Sequence, residues 1–109
     1  MYNYLTLKLT NMLNLNVTVT GGIPPLPISV NFTNLNNPDH NLCFKKNMGF
    51  TESYDLPPGQ YTLIINGSNP DGVGAVAITV TGTFQSAPLP NANYSSNNPT
   101  YTAIFYFVI

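Results

Sequence analysis

Charge is what this chain mostly lacks: charged residues fill 6% of its 109 positions, Arg and Trp do not occur, and there is a single Cys. An average soluble protein carries roughly 25% charged residues, so the shortfall is large and each missing group closes off some chemistry. Three Lys and no Arg cannot neutralise a run of phosphates. The sole basic pair, Lys45-Lys46, has no basic neighbour, so nucleic acid is not an expected partner. Acid–base and nucleophilic catalysis need titratable groups in pairs, and one His, one Cys and four carboxylates are a thin inventory for an enzyme. Cys43 has no partner for an internal disulfide, leaves the redox compartment unread, and is expected to be a core thiol. No apolar run approaches the ~18 residues of a spanning helix, so no transmembrane helix is expected. The opening MYNYLTLKLT has neither the basic start nor the apolar stretch of a signal peptide.

What is present is hydrophobic and neutral. Hydrophobic residues make up 43%, including seven Tyr and six Phe, which excludes the composition of a disordered chain. That is enough apolar material for one domain spanning 1–109 without staples. The polar surface falls to sixteen Asn, twelve Thr and six Ser, with a formal net charge of −1. Such a surface repels its own kind weakly and favours association. Few groups can titrate, so stability is expected to depend little on pH.

The apolar residues alternate with period two. Leu5, Leu7 and Leu9 do so, then Leu13, Leu15, Val17 and Val19, with Thr10-Asn11-Met12 breaking the rhythm as a turn or a bulge. IPPLP after Gly21-Gly22 is too rich in Pro for a central strand. Ile28, Val30 and Phe32 predict another strand before the turn cluster NLNNPDHN. Leu42 and Phe44 open a strand for which Thr51 to Asp55 offers a short partner. Tyr61, Leu63 and Ile65 form the next, ended by NGSNPDGVG, and Val76, Ile78 and Val80 the one after. No window has a capped helical pattern, so helix content near zero is expected. The fold class is therefore all-β: a two-sheet antiparallel sandwich of seven or eight short strands. Residues 85–99 lack periodicity and are expected to be a long loop or tether to a last strand, 100–109, apolar on both faces.

LPPGQYTL, Leu56 to Leu63, resembles the turn-and-strand signature of prealbumin-like sandwiches of the Cna-B and carboxypeptidase-regulatory type, and similar strings occur in several Ig-like folds. The resemblance implies an Ig-like or prealbumin-like sandwich, with the Gly relieving the turn and the Tyr packing at the sandwich edge. Some Cna-B-like domains join a first-strand Lys to a last-strand Asn by an isopeptide bond. Lys8 falls on the polar phase here, and 100–109 holds neither Asn nor Asp, so the bond is not carried over. The composition is also similar to that of extracellular filament and surface-layer proteins.

Several local patterns invite a chemical reading. Asp39, His40 and Cys43 lie close in DHNLC, but a turn with a solvated His and a buried thiol accounts for them, and no second cluster completes a metal site. NGSNPDG holds one carboxylate, Asp71, too few for a Ca²⁺ loop. No cofactor is expected. Glycosylation sequons stand at Asn16, Asn31, Asn66 and Asn93. Asn93 and Tyr94 offer an aromatic platform for a carbohydrate, against the alternative that Tyr94 packs its own loop down. The sharpest hypothesis concerns the last strand, Ile104, Phe105, Tyr106, Phe107, Val108 and Ile109. It is either a covered strand in its own sheet or an assembly strand donated to a neighbour. The function expected is a non-enzymatic structural subunit or adhesion domain of an extracellular filament, surface layer or virion, forming a homo-oligomer or filament through β-strand contacts. The alternative is a carbohydrate-binding module or lectin.

Overall fold

In the computed structural model, residues 12–21, 27–68 and 74–109 are described. They form nine strands: β1 Met12–Thr20, β2 Ile28–Asn34, β3 Leu42–Lys46, β4 Phe50–Asp55, β5 Gln60–Ser68, β6 Ala75–Gly82, β7 Ser86–Leu89, β8 Asn93–Ser96 and β9 Thr100–Val108. The one helical piece among these residues is a 3-10 turn, Pro38–His40. Two antiparallel sheets result, ordered β4-β1-β6-β8 and β3-β2-β5-β9-β7. The chain is thus the all-β sandwich the alternation predicts, and it is compatible with an Ig-like fold.

Period two puts alternate side chains on opposite faces of a strand, and here one face of each long strand is sealed between the sheets. Leu13, Leu15 and Val17 meet Val30, Phe32, Leu63, Ile65, Val76, Ile78, Ala103 and Phe105, all at most 1% exposed. Outward positions of the same strands carry the Asn and Thr: Thr51 and Ser53 hydroxyls donate to Asn16 and Asn14 across the β1–β4 pair. Neutral cross-strand hydrogen bonds do on this face what ion pairs do elsewhere.

The LPPGQYTL segment shows why a sandwich end needs those residues. Leu56 is buried, and the Tyr61 hydroxyl donates to the Pro57 carbonyl four residues upstream at 2.7 Å, the tyrosine-corner arrangement of Ig-like sandwiches. Gly59 has φ +147°, and a Cβ there would lie 2.8 Å from the Asn34 amide nitrogen. Asn34, itself buried, accepts from the backbone N–H groups of Asn36 and Asn37 at 2.8 and 2.9 Å and donates to the Pro58 carbonyl at 3.4 Å. The Asn-rich cluster is therefore a hydrogen-bonded clamp tying β2 to the turn before β5.

Three expectations are corrected. Residues 51–55 do not pair with 42–46: β3 pairs with β2, and β4 pairs with β1 in the other sheet. The Phe44 ring packs against Phe50 at 6.2 Å and Tyr54 at 5.6 Å, so the two strands face each other across the core. Cys43 is exposed, because Phe44 takes the inward position and its neighbour must point out. Residues 85–99 are not a structureless tether. They hold β7, at the edge of the five-stranded sheet beside β9, and β8, at the edge of the other sheet beside β6. The strand predicted at Leu5, Leu7 and Leu9, residues 23–26 of the IPPLP segment, Lys8 and Asp71 lie outside the described residues.

Candidate assembly edge

β9 pairs with β5 along its whole length, from Thr100↔Ser68 to Val108↔Gln60. Its inward residues Tyr101, Ala103, Phe105 and Phe107 are buried at 1–5% exposure, so the last strand is seated in its own sheet. Its outward residues are not covered: Ile104 is 41% and Tyr106 50% exposed. Both faces are apolar by sequence, yet only one is buried in the core.

The other side of β9 is half open. β7 pairs with it only at Ser86↔Val108 and Leu89↔Tyr106, with a register irregularity between. Backbone groups alternate direction along a strand. Ile109 exchanges both hydrogen bonds with Gly59 on the β5 side, and the Val108 carbonyl accepts from Gln85 on the β7 side, so even-numbered residues of β9 aim their N–H and C=O away from β5. Among the described residues, none pairs with Thr100–Phe105 on that side, leaving the peptide groups of Thr102 and Ile104 at an open sheet edge.

Edges of this kind template pairing with another chain unless they are blunted, commonly by charge, Pro or a bulge. Among the described residues the β3, β4 and β7 edges are blunted in these ways, and the β8 edge, Asn93–Ser96, is only four residues long. The β3 edge carries Lys45 and Lys46, and the β4 edge carries Glu52 and Asp55. Lys46 is bonded to Glu52 and lies over the Phe44 and Phe50 rings at 5.6 and 5.2 Å. The Lys46 hydrogen bond, with a second from the Tyr54 hydroxyl, holds the Glu52 carboxyl below its usual range. Burial, with the Glu52 bond, pushes the Tyr54 hydroxyl well up. β7 carries Pro88 and the irregular register. Thr100–Phe105 has none of these devices. Beside it, Leu89 is 57% exposed and, with Leu35 and Tyr106, lines a shallow groove of about 190 Å³.

The other predicted positions are placed as follows. Asn16 and Asn93 are exposed on strands, while Asn31 and Asn66 are half-buried in β2 and β5 of the five-stranded sheet. Asn93 accepts from the Thr79 hydroxyl at 3.0 Å. Tyr94 turns inward and packs against the core beside Tyr101, ring centroids 6.5 Å apart, instead of standing out as a platform. Burial raises the Tyr101 hydroxyl above its ordinary pKa. Among the described residues no three His, Cys, Asp or Glu side chains gather as metal ligands, and no helix is long and apolar enough to cross a membrane. Thr102 escaped sequence reasoning because a free edge depends on which strands are neighbours. The lack of charge or Pro across 100–105 was the one visible sign.

Compared with known proteins, the chain matches no family model, no curated protein and no solved structure.

Proposed function

We propose that this protein is a structural subunit that assembles with further copies of itself by β-strand addition at the open half of β9. One observation carries the reading: the charges of the described strands sit at the β3 and β4 edges, while Thr100–Phe105 presents peptide groups that no described residue pairs, beside exposed Ile104, Tyr106 and Leu89. Strand addition draws affinity from main-chain hydrogen bonds and specificity from alternate side chains, and both are available here. A net charge of −1 opposes it little. Neutral Asn, Thr and Ser surfaces suit a particle or filament outside the cell or on a virion, and the LPPGQYTL likeness to prealbumin-like modules is in keeping with such a role.

The test is sedimentation and negative-stain microscopy of the full chain and of Ile104→Lys, which places a charge at the edge. The parent is expected as large species and the variant as folded monomers. A parent that remains monomeric at every concentration contradicts the proposal.

A further inference from the structure

Resting on that reading, we infer that the strand accepted by β9 is residues 2–10 of a second copy. An acceptor of six residues, Thr100–Phe105, needs an extended partner of ~20 Å, at ~3.4 Å per residue, free of Pro and alternating in polarity. YNYLTLKLT meets each requirement: nine residues, no Pro, Leu5, Leu7 and Leu9 on one phase and Thr6, Lys8 and Thr10 on the other. With the Leu phase inward, the added strand would extend the buried layer past Tyr101 and Ala103 and cover the half-buried ring of Tyr94, which lies at that margin. The polar phase would stand beside Thr102 and Ile104 in solvent. No charge on β9 faces Lys8.

Direction favours a second copy over the same chain. The Met12 carbonyl accepts from Thr83 N–H, and Gln85 N–H donates to the Val108 carbonyl, so β1 starts at the end of the sandwich where β9 finishes. A segment running into Met12 along its own β9 would have to lie parallel to it. All seven described strand pairings are antiparallel, and the antiparallel arrangement is the more stable per residue. Only a segment from another molecule can enter that way. Joined to Met12 at one end of its own sandwich, the segment would dock near the opposite end of the next, a head-to-tail contact that does not close and so propagates a filament.

Two full-length variants separate donor from acceptor. Thr102→Pro removes an N–H that faces the open edge and has no strand partner there among the described residues, a position where Pro is tolerated. Ile104→Lys serves as the acceptor-blocked chain should Thr102→Pro lose its cooperative melting. Leu5→Asp with Leu7→Asp spoils the donor. Each variant alone is expected to sediment as a monomer, and their mixture as 1:1 dimers and nothing larger, since one intact donor then meets one intact acceptor. If the Leu5→Asp/Leu7→Asp chain assembles like the parent while the acceptor-blocked chain does not, the donor assignment is overturned and the edge reading stands. If the parent itself is monomeric, both fall.

Discussion

The hydroxyl of Tyr61 ties a buried ring to the Pro57 carbonyl, and Asn34 closes the same end of the sandwich around Gly59. Tyr61→Phe keeps the ring and loses the bond, so it is expected to cost about 1 kcal/mol, read as a melting temperature lower by roughly 4–8 °C. Gly59→Ala adds a Cβ against Asn34 at a φ that L-residues rarely adopt and should cost more than Tyr61→Phe in the same assay. Glu52 sets the pH behaviour. Its folded carboxyl is held below the ordinary value of 4.5, chiefly by Lys46, so the stability it contributes is present above that value and is lost as pH falls through the lowered one. The carboxylate lies at the surface, where screening keeps the contribution small. Melts from about pH 8 to about pH 5 should coincide, with a slight fall below about pH 4 that Glu52→Gln abolishes.

At the scale of the element, alternation reveals a strand only where the strand is long enough to repeat. β1, β2, β5 and β6 each bury three hydrophobic residues at dyad spacing and are legible in the sequence. β7 and β8 are four residues each and turn in little more than Pro88 and Tyr94, so no period exists to read. Pairing is less legible still. β3 and β4 are close in sequence like a hairpin, yet the aromatic contacts of Phe44 with Phe50 and Tyr54 place them in opposite sheets. Cys43 follows from that placement and not from its own apolar character. The two phases of β9 give a direct check on register. Phe105→Ala should cost ~3–5 kcal/mol, while Ile104→Lys, one residue away, should leave the monomer's melting temperature almost unchanged.

For the molecule as a whole, the account rests on where its few charges are. Lys45, Lys46, Glu52 and Asp55 occupy the strand edges on one side of the sandwich, and the open half of β9 lies on the other with exposed apolar side chains around it. Composition alone reveals that repulsion is weak. It takes the strand order to reveal which edge the weakness leaves available. The central claim is that the peptide groups of Thr102 and Ile104 find partners in another molecule, and amide hydrogen exchange reads those two groups directly. In dilute solution both should exchange near the rate of an open chain, and on assembly both should slow by at least about tenfold while the already buried amides of Ala103 and Phe105 change little. Exchange at Thr102 and Ile104 that stays fast in the assembled state, or that is already slow in the isolated monomer, would contradict the claim.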